Sequence, residues 1–222
     1  MTEPRGVSFE RLDASTVGFP AGNPELAVTV LTPRIVRVAL TQTGREPGPS
    51  YVVDRAVAPA PFDVVDGDPV RLVTTDLRVE VSRRAAPHRV ASIPASDWLL
   101  REPADAGMSA EPVADGSGRR RLRASFVFSG EQHFYGLGQG GAAFDRLGAT
   151  RQLWNTHIGH GPGSDMGVPL LVSSRGYALF FDNPGDAVVA GRAARTAECA
   201  SSTPRRRGGS SGTSCWAATC AA

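Results

Sequence analysis

The sequence predicts an all-β fold, an antiparallel sandwich of many short strands, and three observations predict it. Short runs of β-branched, aromatic and other apolar residues recur along the chain, clusters of Gly, Pro and Asp separate them, and no window carries an apolar stripe of helical period over three turns. In chain order the runs are VSFERL from Val7, ELAVTVLT from Glu25, IVRVALT from Ile35, VRLVTT from Val70, LRVEVS from Leu77 and RLRASFVF from Arg121. Leu77, Val79 and Val81 fall on one face and Arg78, Glu80 and Ser82 on the other, the pattern of a half-buried strand. The same period gathers Leu122, Ala124, Phe126 and Phe128. Between the runs, PRIV, GREPGPS, DGDP and ADGSG supply the residues that set turn dihedrals. Pro103 to Gly118 is polar and turn-rich, and reads as a hairpin excursion or loop rather than a linker. No repeat of fixed period is visible.

Size and charge narrow the classes of function. The 222 residues, 41% hydrophobic and 21% charged, suffice for one well-buried domain. They do not suffice for a sandwich plus a (β/α)₈ barrel, which alone needs about 250 residues. All 24 basic residues are Arg, a mark of GC-rich coding rather than of a nucleic-acid surface. Four Arg and one Glu lie from Arg195 onward, so the first 194 residues carry 20 Arg against 21 acids, a balance of −1. A neutral body has no electrostatic grip on phosphates, and no nucleic-acid partner is expected. The start, MTEPRGVSFERLDAS, has no apolar signal region, and no run reaches the roughly 18 apolar residues of a membrane span. Cys199, Cys215 and Cys220 all fall in the last 24 residues. The body then holds no disulfide or Cys-based zinc site, and a cytoplasmic location is expected.

Three local patterns invite chemistry. Gly136, Gly138 and Gly141 spell GxGxxG, but a dinucleotide site needs a parallel strand before it, a helix opening on the third Gly and a distant acidic residue. AAFDRLGAT is too short for that helix, so the glycines read as a structural turn. His157 and His160 form HxxH with Asp165 nearby and His133 upstream, yet HIGHGPGSD is too Gly-rich to converge three or four ligands. No metal and no cofactor is expected, and solvated loop histidines are the plainer reading. Trp154 reads as a core or interface anchor more readily than as a platform for a sugar ring. Asn155 suits a loop backbone, and Asp182 with Asn183 before Pro184 suits a strand-ending turn. The remaining acids, such as Asp13, Glu80, Asp145 and Asp165, show no motif that pairs them.

The order of pieces from Phe134 to Pro184 is more specific than any one of them. FYGLG (Phe134 to Gly138), LWNT (Leu153 to Thr156), a glycine-rich loop, VPLLVS (Val168 to Ser173) and GYALFFDNP (Gly176 to Pro184) follow one another. This set resembles the end of the N-terminal, galactose-mutarotase-like β-sandwich of glycoside hydrolase family 31, the α-glucosidases and α-xylosidases. The resemblance implies a parent enzyme that hydrolyses α-glycosidic bonds with retention, using neither metal nor organic cofactor, and that takes carbohydrate as its partner. It also implies that the loop after the Trp-Asn pair reaches over the mouth of a catalytic barrel, where Thr156 and His157 match sugar-contacting positions. The family commonly has an acid where His157 stands; a neutral imidazole can accept one hydroxyl hydrogen bond but lacks a carboxylate's two oxygens. The family's nucleophile and acid/base are barrel aspartates with no counterpart in this chain, so no catalytic residue is assigned and the chain is expected to be inactive alone.

The expected division is a sandwich over residues 1–194 and an irregular tail over 195–222. The tail, RTAECASSTPRRRGGSSGTSCWAATCAA, shows no strand period. A disordered extension has this composition. A second origin emerges at the codon level: with GC-rich codons, joining each third base to the next two yields text that alternates apolar and polar and resembles the next family 31 hairpin. Cys215 and Trp216 then encode Leu, and Trp216 with Ala217 encodes Gly, whatever the wobble bases. That origin makes the chain a product truncated before its barrel. Two other functions fit the same fold, a free-standing carbohydrate-binding or interaction module and a mutarotase-like sugar epimerase. The latter needs a carboxylate base and a His acid converging on the sugar, and no spacing singles out such a pair. Sugar specificity and oligomeric state are not legible.

Overall fold

Alternating residues along a strand face opposite sides, so two sheets that bring their apolar sides together bury every second residue. A computed structural model describes residues 8–20, 25–41, 58–82, 90–93, 99–103, 108–112, 114, 120–127, 133–140, 143–153, 166–182, 187–192, 196–203 and 213–218. These residues form strands, turns and extended segments, with no helix among them. The strands are β1 (Glu10–Arg11), β2 (Thr16–Phe19), β3 (Glu25–Thr32), β4 (Ile35–Thr41), β5 (Asp63–Val65), β6 (Val70–Val73), β7 (Arg78–Val81), β8 (Val90–Ile93) and β9 (Leu100–Arg101). There follow β10 (Ser109–Pro112), β11 (Arg120–Val127), β12 (Phe134–Gly136), β13 (Thr150–Leu153), β14 (Leu170–Ser173), β15 (Tyr177–Phe180), β16 (Ala187–Arg192), β17 (Thr196–Thr203) and β18 (Thr213–Ala218).

The runs from Glu25 and Ile35 become β3 and β4 over their full length and pair as a hairpin, with Val28 opposite Val38. The alternation read in Leu77–Ser82 is realised: Leu77, Val79 and Val81 are buried. In the run from Leu122, Leu122, Ala124 and Phe126 are buried, while Phe128 lies outside the described residues. Part of the Pro103–Gly118 stretch forms β10, a hairpin partner of β11.

All pairings are antiparallel. One sheet runs β1-β2-β3-β4-β18-β15-β14-β12; the other runs β13-β16-β17-β11-β9-β8-β7-β6-β5, with β10 also on β11. A single apolar cluster joins them. It takes Val28, Val38 and Leu179 from the first sheet and Leu72, Val79, Ala124 and Val189 from the second. The architecture is thus the expected all-β, antiparallel sandwich, and the described residues form no barrel.

Beyond residue 194, the backbone of 196–203 and 213–218 supplies β17 and β18. Thr196–Thr203 pairs with Arg120–Val127 on one side and with Ala187–Arg192 on the other. Thr213–Ala218 pairs with Ile35–Leu40 and, through Trp216, with Phe180. The reason is that ladder bonds join backbone groups, so residues with no apolar period can still complete a ladder between two strands that lack partners. A proline within an interior strand removes a ladder donor and is scarcely tolerated there. Ala200 lies opposite Arg123 and Val188, so Ala200→Pro is expected to cost about 3 kcal/mol of unfolding free energy in urea. An unchanged midpoint would show that this stretch is unpaired.

Candidate functional site

The site region is where the chain crosses between the two sheets. β12 is an edge of the first sheet and β13 an edge of the second, and the turn joining them begins at FYGLG. Gly136, Leu137 and Gly138 have φ values of 103°, 62° and 83°, and Gly140 has 84°. Leu137 is the one non-glycine residue with positive φ among the described residues, a conformation costing about 1–2 kcal/mol. A Cβ on Gly136 would overlap the Leu170 carbonyl oxygen, and one on Gly138 the Met166 carbonyl oxygen and the Val168 nitrogen. These glycines therefore serve backbone curvature and close approach. β12 runs antiparallel to β14, which contradicts the parallel strand that a dinucleotide site requires.

Hydrogen bonds lock the turn from several sides. Leu137 N donates to Leu170 O at 2.8 Å and Gln139 N to Met166 O at 2.9 Å. Arg146 donates from Nε to Gly136 O at 3.0 Å, and from Nη2 to Gly138 O at 3.3 Å and Gly140 O at 3.1 Å. Arg151, only 7% exposed, donates from Nη2 to Gln139 O. Its Nε is buried without an acceptor among the described residues.

Asp145 completes the cluster. Oδ1 accepts from Phe134 N at 3.1 Å and Leu147 N at 3.0 Å, while Oδ2 lies 2.5 Å from His133 Nδ1. The His133 hydrogen bond, followed by the Leu147 and Phe134 amides, holds the Asp145 carboxyl below its usual range. The His133 ring stacks near Tyr135 at 6.5 Å between centroids, and Tyr135 meets Phe144 at 5.1 Å. Phe144 is 84% exposed and Met166 62%, so the surface here is apolar at its crest.

Thr156 and His157, the proposed sugar contacts, lie outside the described residues, as do Trp154, Asn155, His160, Asp165 and Gly141. What is described is both ends of their segment, Leu153 at the end of β13 and Met166 at its return. Of the loop histidines and acids weighed as ligands, His133 is engaged with Asp145, and no group of His, Cys, Asp and Glu able to hold a metal occurs among the described residues. Other acids hold structure. Asp13 accepts from Ser15 N and Thr16 N at 2.6 and 2.8 Å, and Glu80 lies 3.3 Å from both Arg71 and Arg78. Asp182 is buried just after β15, and its charge opposes the burial that lowers the pKa of Arg37. Sequence reasoning missed Arg146, Arg151 and the His133–Asp145 pair. The one available signal was an Asp-Arg pair inside a glycine-rich turn.

Two outcomes follow from this geometry. Gly138→Ala is expected to destabilise by about 2–4 kcal/mol, from backbone strain plus overlap. Gly176→Ala, at φ 80° but with open space around it, should cost about 1 kcal/mol; equal costs in urea unfolding would contradict the close approach. Asp145 has a depressed folded-state pKa, so its contribution is present above the unfolded carboxyl's value, about 3.9, and is lost as pH falls through the folded value. Asp145→Ala should lower Tm by about 2–4 °C at pH 7, with the gap from wild type closing at acid pH. A gap independent of pH would exclude the ionised carboxylate as its source.

Residues 25–189 match the family model described as the glycosyl hydrolase 31 N-terminal galactose mutarotase-like domain. Solved structures share the fold. A dextranase of this family from Flavobacterium johnsoniae superposes with a TM-score of 0.77 at 18% identity, over 98% of this chain and 27% of its own. An α-xylosidase from a soil metagenome, solved with xylose, gives 0.72 at 20% identity, over 96% of this chain and 32% of its own. The α-xylosidase of Xanthomonas citri gives 0.66 at 27% identity, over 81% of this chain and 20% of its own. The chain thus spans a third or less of the length of each of these enzymes. Comparison with curated protein sequences returned no match. The chain therefore belongs to the glycosyl hydrolase 31 N-terminal galactose mutarotase-like domain family.

Proposed function

We propose that these 222 residues serve as the N-terminal sandwich of a retaining α-glycosidase, contributing a sugar-facing rim while the bond-breaking groups lie in a barrel outside them. The family match over residues 25–189 carries this reading. The sugars bound in the structural relatives support its substrate class: the Flavobacterium dextranase was solved with isomaltotriose and the metagenomic enzyme with xylose. In this reading Thr156 and His157 contact a sugar hydroxyl at the barrel mouth.

Retaining hydrolysis needs a nucleophile and an acid/base carboxyl about 5–5.5 Å apart. Asp13, Glu80 and Asp145 are each engaged in turns or ion pairs. The chain alone is therefore inactive in this reading. Incubation of the 222-residue chain with aryl α-glucoside and aryl α-xyloside should release no phenol above the uncatalysed rate; appreciable turnover would sink the assignment of catalysis to a separate barrel.

The same reading takes residues 195–222 as encoded out of frame. Its supports are the composition break near Ala194 and the end of the family match at residue 189. Resequencing the gene decides it, since a confirmed frame without barrel-coding sequence nearby removes the explanation.

A further inference from the structure

In an antiparallel ladder the backbone groups of successive residues face alternate sides of the strand. Along β12, Ser174 N donates to His133 O at 2.9 Å and Leu137 N donates to Leu170 O at 2.8 Å, both on the β14 side. The backbone groups of Phe134 and Gly136 therefore face the other way, off the end of the sheet. Among the described residues no strand pairs there; two consecutive residues of the following turn take its place. Asp145 Oδ1 accepts from Phe134 N at 3.1 Å, Arg146 N donates to Phe134 O at 2.7 Å, and Arg146 Nε donates to Gly136 O at 3.0 Å. Nη2 of the same guanidinium continues to Gly138 O and Gly140 O. One planar fork thus satisfies alternate carbonyls that a neighbouring strand would otherwise bond.

This edge needs such cover. Other outer strands carry exposed charge or proline: Glu10 and Arg11 on β1, Asp63 on β5, and Glu111 and Pro112 on β10. Those residues discourage a further strand from adding on. β12 has the sequence FYG, without charge. Beside it stand exposed Val172, opposite Tyr135 in the ladder, and exposed Phe144, whose ring meets that of Tyr135. The edge beneath the cover is also self-complementary. A two-fold axis at Tyr135 sets Phe134 against Gly136 of a second copy, and each such pair exchanges its N–H and C=O. The two Tyr135 side chains then lie side by side.

We propose that Asp145 and Arg146 form a removable cap on β12, and that the edge beneath is a strand-pairing site for β12 of a second copy, closed while the cap is in place.

Asp145→Ala with Arg146→Met is compared with wild type, and each is also made with Tyr135→Glu, all in the full 222-residue chain. Sedimentation mass is read over rising chain concentration, with amide exchange at Phe134 and, as core references, at Val28 and Leu179. Tyr135→Glu alone should leave the wild-type mass unchanged, because the capped edge takes no part in association. In the double variant, Phe134 exchange at low concentration should speed by about tenfold or more. As concentration rises, that variant should form dimers and regain protection at Phe134. Adding Tyr135→Glu sets like charges opposite each other across the axis and should return it to the wild-type mass. Phe134 exchange unchanged by the double substitution overturns the cap. A double variant that keeps the wild-type mass, or gains mass that Tyr135→Glu does not reverse, overturns the pairing site. A wild-type mass lowered by Tyr135→Glu overturns the closed state. Lost protection at Val28 and Leu179 in the double variant overturns removability, because the fold would then require the cap.

Discussion

Interior strand pairing is the constraint on which the rest of this structure depends. β18 lies between β4 and β15, and β17 between β11 and β16. Without them each sheet would divide in two and present rows of unpaired N–H and C=O groups at four new edges. A buried unpaired backbone group costs about 1–3 kcal/mol, and the apolar faces of Val36, Val38 and Leu40 on β4 and of Tyr177 and Leu179 on β15 would lose the continuous sheet that covers the core. The pairing needs only backbone, so strands as plain as TAECASST and TSCWAA suffice. Completion of both sheets by β17 and β18 also makes the sandwich non-local: β4 lies beside β18, far along the chain.

That closure sets the position of the rim. β12 stands at the end of the first sheet and β13 at the end of the second, so the connection between them must turn sharply across the open side of the sandwich. Gly136 and Gly138 permit the turn to lie directly on the backbone of 166–170, and Arg146 and Asp145 replace the hydrogen-bond partners that strands would otherwise supply. The sheet ladders are general, whereas this turn is specific to its residues. It is there that a bulky residue is held at positive φ and that charged groups take on structural roles.

The legibility of the fold follows the same division. β3 and β4 were readable to the residue because Glu25–Thr32 and Ile35–Thr41 combine β-branched residues with flanking turn signals. β7 and β11 were readable from period two. β17 and β18 were not, since Ala, Ser, Thr and Cys in those stretches carry no apolar period, and the decision lies with partner strands as distant as Ile35. The family was legible from the order of motifs between Phe134 and Pro184, because glycines, aromatics and strands there are each required by the turn and its neighbours. Arg146 and Arg151 were hidden by composition: in a chain whose basic residues are all Arg, two more carry no signal until their carbonyl partners are located. Asp145 was visible only as one scattered acid, because its work depends on His133 and on two backbone amides brought near by folding.

Residue-resolved amide exchange across the whole chain tests the account most directly, because it reads sheet closure and the rim turn in one experiment. The account predicts slow exchange along 197–202 and 214–217, comparable with β3 and β4, together with protected amides at Leu137 and Gln139. Exchange at unstructured rates along 197–202 and 214–217, with β4 and β15 still protected, would contradict it, since the two sheets would then stand without the strands that are claimed to complete them.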